Sequence, residues 1–155
     1  MIPPARPTAG HLVHRPIHHP PMSEAPRATF RKAERLCSRT VIKDLLATGR
    51  AVNEAPLRLI GKVMTLESPV PAQIAFAVPK RFLPRAVDRN RTRRRMREAF
   101  RLNKQRWQEA LLAANVQCAW LVVYQGRTCL PFELIQQKIS RSIDRWILEH
   151  VKAAR

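Results

Sequence analysis

Acidic side chains are scarce in this sequence of 155 residues. Eleven Asp and Glu stand against 29 Lys and Arg, which gives a formal net charge of +18 with neutral histidines. So large a surplus repels itself in a compact protein unless a polyanion neutralises it. Nucleic acid is the commonest such polyanion and an anionic membrane surface is the alternative, so the charge balance predicts a polyanionic partner.

Cysteines and long apolar runs are also scarce. The cysteines Cys37, Cys118 and Cys129 are an odd number without C-x-x-C spacing, which predicts reduced, mostly buried thiols in a cytoplasmic protein. No stretch approaches the roughly 18 apolar residues of a membrane span. The N-terminal segment also lacks the continuous apolar core of a secretory signal. We therefore expect a cytoplasmic protein.

Groups that could support catalysis by the protein itself are few. The eleven carboxylates are scattered singly, whereas a metal-dependent nuclease needs a cluster of them to hold Mg²⁺. Beyond the N-terminal segment His150 is the only histidine, and the four glycines form no glycine-rich phosphate loop. No Ser/His/Asp or Cys/His set stands out. The sequence therefore argues against an autonomous protein nuclease.

Proline is concentrated at the N-terminal end. Residues Met1 to about Pro26 hold seven of the thirteen prolines and four of the five histidines. Proline at this density prevents regular helix or sheet, so residues 1–28 are predicted to be a disordered tail before a folded domain at 29–152. A metal site formed by these histidines is disfavoured, because no cysteine and only distant carboxylates accompany them. Met22 is an alternative initiator, which would leave the preceding residues untranslated.

From Phe30 onward, hydrophobic periodicity predicts a folded α+β domain. The predicted elements are a helix at Ser38–Thr48, a short strand at Ala51–Glu54, strands at Leu57–Met64, Gln73–Val78 and Cys118–Tyr124, and helices at about Asp88–Ala114 and Pro131–Lys152. Gly49 is expected to stop the first helix, and Asp88 to cap the second. The three tryptophans lie on apolar stripes, so they are expected to pack in the core. The result is three helices on a small sheet of about four strands.

Basic residues are concentrated in and just before the second predicted helix. Between Lys80 and Arg106 there are twelve basic residues and two acidic ones, which accounts for more than half of the net charge. Arginines recur there every four residues, so they are predicted to share an outward face opposite the apolar stripe of the helix. This row comprises Arg89, Arg93, Arg97 and Arg101, with Arg94 on its flank and Lys104 below. A solvated basic face or a nuclear-import signal is the alternative interpretation.

The segment from Pro79 to Arg101 resembles the signature of a known family. It contains a basic pair, a short loop that ends in Ala-Val, then Arg-Asn-Arg, a second basic pair and Arg-Glu-x-Phe-Arg. This order is similar to the "RNR" signature of the bacterial ribonuclease P protein component. The resemblance extends over roughly Phe30 to Val151, and the residues around Glu34-Arg-Leu36 are similar to the opening of the family.

The resemblance implies both a fold and a function. The implied fold is that of the second domain of ribosomal protein S5, with a left-handed βαβ crossover that contains the signature helix. The implied function is that of the ribonuclease P protein subunit, which binds the catalytic RNA subunit and the 5′ leader of precursor tRNA and assists removal of that leader. Mg²⁺ is expected to be held mainly by the RNA subunit and the substrate. No membrane and no protein partner are implied.

The resemblance also implies two sets of binding residues. Contacts to the RNA subunit are expected from Lys80, Arg81, Arg85, Arg89, Asn90, Arg91, Arg93, Arg94, Arg97 and Arg101. Contacts to the leader, in a cleft between the first helix and the sheet, are expected from Phe30, Arg35, Arg39, Ile42, Leu46, Arg58 and Ile60. The family often places aromatic residues in this cleft, whereas this chain has Ile42, Leu46 and Ile60 at the matching positions. Base stacking is therefore expected to be weaker here, and apolar contact and charge more important. A ribosomal or RNA-structural protein is the rival interpretation, against which only the signature segment argues.

Overall fold

The computed structural model describes residues 29–151. These residues form three α-helices and one four-stranded sheet, together with a 3-10 turn and a π-helical turn. In chain order the elements are the 3-10 turn Lys32–Glu34, α1 Arg39–Thr48, β1 Arg50–Glu54, β2 Leu57–Val63, β3 Ala72–Ala77, α2 Ala86–Ala114, β4 Cys118–Tyr124, α3 Phe132–Trp146 and the π-helical turn Ile147–Val151. The predicted α+β class is confirmed.

The four strands form a mixed sheet in the order β1-β2-β4-β3. β2 is antiparallel to both β1 and β4, and Leu59 of β2 lies opposite Val122 of β4. β3 runs parallel to β4, with Ile74 opposite Trp120. Parallel neighbours need a crossover connection, and α2 supplies it, so β3-α2-β4 is the expected βαβ unit. The left hand of this crossover stays a prediction from the family resemblance.

One face of the sheet packs against α2 and α3 and carries the larger core. Five large aromatic side chains there are at most 2% exposed: Phe100, Trp107, Trp120, Tyr124 and Trp146. Aromatic residues bury about 150–250 Å² each, so these five dominate the burial on this face. The prediction that the three tryptophans pack in the core is confirmed.

The opposite face of the sheet is covered in part by α1. Leu45 of α1 is fully buried in a smaller core that also contains Ile60 and Leu121. Farther along the same face, Ala75 and Val123 are half-buried, which leaves an open strip of sheet beside α1. The family resemblance predicts the leader cleft between this strip and α1, and that assignment stays a prediction.

The ends of α1 follow the prediction. Ser38 is the N-cap, and its hydroxyl accepts a hydrogen bond from the backbone N–H of Val41 at 3.4 Å. Gly49 follows the last helical residue with φ −69°, so no left-handed conformation requires glycine. A Cβ at this position would lie 2.4 Å from the Leu45 carbonyl oxygen and 2.6 Å from Ile60 Cγ2. Glycine is needed here because a side chain would collide with the last turn of α1 and with Ile60 of β2.

The predicted capping role of Asp88 is wrong. α2 begins at Ala86, and Arg85 is the N-cap residue without a side-chain capping bond. The turn before the helix is anchored in the core by Leu83, which is 2% exposed, so the chain enters the helix as soon as it leaves that turn. Asp88 lies in the first turn, where its negative charge is favourable beside the helix N-terminus.

The cysteines occupy three different environments. All three are free thiols: Cys118 is buried, Cys129 is half-buried and Cys37 is exposed. The expectation of mostly buried thiols is therefore wrong for Cys37, which lies just before the exposed start of α1. Burial raises the pKa of the Cys118 thiol to about 12.

Two expectations concern parts of the chain beyond this description. The predicted tail at residues 1–28 and the last residue of the predicted third helix, Lys152, lie outside the described residues. Within residues 29–151, no helix is both long enough and apolar enough to cross a membrane.

Candidate RNA-binding surface

The helix α2 turns one face to the core and the rest to solvent. Thr92, Met96, Phe100 and Trp107 are at most 2% exposed and mark the buried face. The residues predicted to bind RNA differ in how far their side chains are exposed to solvent. Exposed are Lys80, Arg81, Arg85, Asn90, Arg91, Arg94 and Arg97, whereas Arg89, Arg93 and Arg101 are half-buried.

The expected straight row of outward arginines is therefore wrong in part. Because one helical turn takes 3.6 residues, each step of four residues rotates about 40° beyond a full turn. A row with this spacing therefore winds around the helix axis. Arg89 and Arg93 lie near the buried face, while Arg97 lies clear of it in solvent. Among the arginines of the helix that were predicted to bind RNA, Arg91, Arg94 and Arg97 are exposed.

Two arginines in the first half of α2 form hydrogen bonds within the protein. Arg89 donates from Nη1 to the carbonyl oxygens of Leu83 and Pro84, at 2.9 and 2.7 Å. Arg93 donates to the Asn90 side-chain oxygen at 3.4 Å. The two bonds of Arg89 brace the turn that leads into α2, so Arg89 has a positioning role in addition to its charge, whereas the bond of Arg93 lies within the helix.

Glu98 orients Arg101. Arg101 Nε donates to Glu98 Oε2 at 2.9 Å, and its Nη2 donates to the other carboxylate oxygen. The hydrogen bond from Arg101 lowers the pKa of Glu98, and the same bond raises the pKa of Arg101. Both groups are thus charged near neutral pH, and Arg101 presents a partly neutralised cation to the surface.

Arg95 has a role that the sequence does not reveal. Its Nη1 donates to the carbonyl oxygen of Leu130 at 2.5 Å and lies 3.4 Å from Cys129 Sγ. Thr92 donates to the same sulfur at 3.3 Å. Two side chains of α2 therefore hold the loop between β4 and α3. Within a run of arginines no local signal distinguishes this one, because its partner is 35 residues away.

Lys104 does not extend the basic face, and its predicted position below the arginine row is wrong. Its ammonium group lies 2.8 Å from Glu34 Oε1, and the two side chains are only 9% and 6% exposed. It also donates to the carbonyl oxygen of Thr29. The buried pair ties the start of the described chain to the middle of α2.

The loop before α2 adds an aromatic side chain to the basic surface. Phe82 is half-buried, and the guanidinium carbon of Arg81 lies 4.8 Å from its ring centroid. This cation–π contact fixes the exposed Arg81 beside the exposed Lys80.

The predicted leader-binding residues do not all lie together. Ile42 is half-buried and Leu46 is 61% exposed on α1, but Ile60 beneath the helix is only 6% exposed. Phe30 lies on the opposite face of the sheet, with its ring 5.6 Å from that of Phe100 and 6.2 Å from that of Phe76. The cleft therefore has an aliphatic wall at α1, and Phe30 is separate from it.

The basic residues of the second predicted set, together with Lys62, lie on or near α1 and β2. Arg39 and Arg58 are exposed, and Lys62 donates to Asp44 of α1 at 2.8 Å. That hydrogen bond lowers the pKa of Asp44. Arg35 lies over the Phe30 ring at 5.5 Å and also borders a cavity at the N-terminal end of α1. The structure thus brings Arg39, Arg58 and Lys62 to one side of the sheet.

Six of the ten carboxylates in residues 29–151 form ion pairs with lysine or arginine. The ion pairs are Glu34–Lys104, Asp44–Lys62, Glu54–Arg145, Glu98–Arg101, Asp144–Arg106 and Glu149–Arg145. In residues 29–151 no three His, Cys, Asp or Glu side chains come together as a metal site. The arrangement as a whole is suited to binding anions.

A family model described as Ribonuclease P matches residues 30–146. The chain belongs to the ribonuclease P protein family. A relative from Chlorobium phaeobacteroides, a "Ribonuclease P protein component", is 36% identical over 136 residues, which cover 81% of this chain and 92% of that protein. The family membership agrees with the signature segment recognised between Pro79 and Arg101.

Solved structures of the family share the fold. The RNase P protein of Staphylococcus aureus superimposes with a TM-score of 0.57 at 17% identity and covers 74% of this chain and 95% of its own. The RNase P protein of Thermotoga maritima gives a TM-score of 0.57 at 18% identity, and the match covers 72% of this chain and 96% of that protein. At these identities the likeness supports the fold alone.

Proposed function

We propose that this chain is the protein subunit of bacterial ribonuclease P. In this role it binds the catalytic RNA subunit and the 5′ leader of precursor tRNA, and it assists the cut that produces the mature 5′ end. The observation that carries the proposal is the family match over residues 30–146, which includes the signature segment and its exposed arginines. The reaction takes place in the cytoplasm.

The surface around α2 is the proposed contact to the RNA subunit. Arg91, Arg94 and Arg97 project into solvent from a helix whose other face is fixed in the core. Arginine binds phosphate with two parallel hydrogen bonds, so a rigid helix with several free guanidinium groups favours recognition of a folded RNA backbone. Neutralisation by phosphates also offsets the mutual repulsion of these cations.

The cleft beside α1 is the proposed contact to the leader. Ile42 and Leu46 offer an aliphatic surface to bases, and Arg39, Arg58 and Lys62 offer charge to the phosphates. Because Phe30 lies on the other side of the sheet and Ile60 is covered by α1, these two residues support the fold around the cleft. Leader affinity accordingly depends on charge more than on stacking.

The chemistry is assigned to the RNA subunit. Phosphodiester hydrolysis there uses Mg²⁺, which the RNA subunit and the substrate hold. The pairing of six carboxylates with basic side chains supports this assignment, because these carboxylates are already occupied by protein cations. The protein's contribution is then affinity and orientation of the substrate.

A reconstitution experiment tests the proposed function. The purified chain is combined with a bacterial ribonuclease P RNA and precursor tRNA at low Mg²⁺, where the RNA alone barely cleaves. The expected result is cleavage at the mature 5′ end that depends on the protein. RNA binding without any stimulation of cleavage would contradict the proposal and favour an RNA-structural protein.

A charge experiment tests the surface around α2. Replacing both Arg94 and Arg97 with Ala should flatten the dependence of log K on log salt by about 1.5, since each lost phosphate contact removes roughly 0.7 to 0.9 from the slope. The matched control is Arg141→Ala, which removes an exposed arginine from α3. Equal slopes for the wild type, the double variant and the control would remove α2 from the interface.

A further inference from the structure

A pocket on the protein surface lies between α2 and the start of α3. It is lined by Arg91, Arg94, Arg95, Glu98 and Phe132. We propose that this pocket binds one unpaired nucleotide of the RNA partner, with its base stacked on Phe132 and its phosphate held by Arg91 and Arg94. The proposal rests on the proposed RNA-binding function of α2 and assigns to it a specific aromatic contact.

The basic groups of the pocket are available to a ligand. Arg91 and Arg94 are exposed, and no hydrogen bond or ion pair described within residues 29–151 engages their guanidinium groups. The one carboxylate, Glu98, is paired with Arg101 outside the pocket. The pocket therefore keeps a clear positive charge and favours an anionic ligand such as a phosphate group.

The aromatic ring is presented from a fixed backbone. Phe132 is the first residue of α3, and its half-buried side chain packs against the main core. Arg95 holds the carbonyl group of Leu130, two residues before it, and Thr92 donates to Cys129. Because the loop is fastened to α2 in this way, stacking on Phe132 costs little additional ordering of the protein.

The combination of ring and guanidinium groups suits a nucleotide. Bases stack on aromatic side chains with little dependence on base identity, and arginine binds the adjoining phosphate. The bases of an A-form duplex are stacked and paired, so the ligand must come from a loop, a bulge or a single strand. An acidic peptide would engage the arginines without requiring the ring, and this difference can be tested.

Two variants of Phe132 separate stacking from packing. Phe132→Leu keeps an apolar side chain for the core and removes the ring, whereas Phe132→Tyr keeps the ring. In the full chain we expect Phe132→Leu to weaken binding to a bacterial ribonuclease P RNA about fivefold, with an unchanged salt slope because no charge is lost. Phe132→Tyr and the control Leu134→Ala should bind within about twofold of the wild type. Equal affinities for all four proteins would overturn the proposal.

A photo-crosslink identifies the source of the nucleotide. A full chain with p-benzoylphenylalanine in place of Phe132 is irradiated with the ribonuclease P RNA, with precursor tRNA and with both together. A crosslink to an unpaired position of either RNA supports the pocket and tells which RNA supplies the base. Absence of any crosslink would overturn the proposal, even if Phe132→Leu failed to fold.

Failure of this proposal can be distinguished from failure of the proposed function. The double variant Arg94→Ala, Arg97→Ala reports on the helix surface through its salt slope, independently of the ring. If that slope falls while Phe132→Leu binds normally, the helix binds RNA and the nucleotide pocket is refuted. If neither variant changes RNA binding, the RNA-binding role of α2 fails as well.

Discussion

The buried pair of Glu34 and Lys104 provides a stability prediction. It also tests the distinction between basic residues that are paired inside the protein and those on the proposed RNA-binding surface. The Lys104 ammonium group lies 2.8 and 2.9 Å from the two carboxylate oxygens of Glu34. The carboxylate also accepts from the Gln108 side chain at 3.2 Å and from the Arg31 backbone N–H at 3.1 Å. Replacing Lys104 with Met removes the cation that pairs with Glu34 and leaves a buried charge with two neutral donors among the described residues.

The expected loss of stability is large. Breaking a buried ion pair by removing one partner costs about 3–5 kcal/mol, and the two remaining donors to Glu34 favour the lower end, about 3 kcal/mol. For a domain of this size that corresponds to a fall in Tm of about 10 °C. Chemical denaturation monitored by tryptophan fluorescence measures the free energy, because all three tryptophans are buried.

Two further variants make the measurement decisive. Lys80→Met removes an exposed lysine and should change the free energy of unfolding by less than about 0.5 kcal/mol. The double variant Glu34→Leu, Lys104→Met replaces the whole pair with apolar groups and should recover much of the loss. Equal stability of Lys104→Met and Lys80→Met would refute the reasoning. Lys104→Met should also keep the salt slope of RNA binding, since this cation is not on the surface.

The remaining predictions concern the core and the thiols. Gly61→Ala should destabilise the fold by about 2 kcal/mol, because the new Cβ would lie 2.5 Å from the ring of Trp120 and 2.6 Å from that of Trp146. A denaturation midpoint equal to that of the wild type would contradict this prediction. Maleimide at pH 7 to 9 should modify the exposed Cys37 rapidly and the buried Cys118 only after unfolding. Burial raises the pKa of Cys118 to about 12, so little of its reactive thiolate forms in this pH range. Mass spectrometry of the labelled peptides measures both rates, and early labelling of Cys118 would show that the strand opens.

The basic helix α2 shows how much of a binding site a sequence pattern can predict. The pattern predicted the helix, its buried stripe and its excess of charge, because each depends on residues within a few turns of one another. It did not predict which cations are free. Arg95 is bonded to Leu130 and Lys104 to Glu34, at separations of 35 and 70 residues, and such partners exist only once the chain has folded.

The cleft illustrates the same limit for apolar residues. Ile42, Leu46 and Ile60 were predicted as one surface because they match positions on the first helix and first long strand where the family often places aromatic residues. In the structure Leu46 is 61% exposed and Ile60 is 6% exposed, since α1 lies directly over β2. Whether an apolar residue offers a contact to a ligand depends on which element covers it, and periodicity alone carries no such information.

By itself the sequence determined the class of fold, the approximate bounds of the helices and strands, and the family. These features depend on local periodicity and on a contiguous signature, both of which can be read along the chain. The tertiary structure alone decided that Phe30 lies across the sheet from the cleft and that Phe132 lies beside the free arginines of α2. The physical reason is that side-chain burial and charge pairing are set by contacts between distant segments, which form only when the sheet and helices pack together.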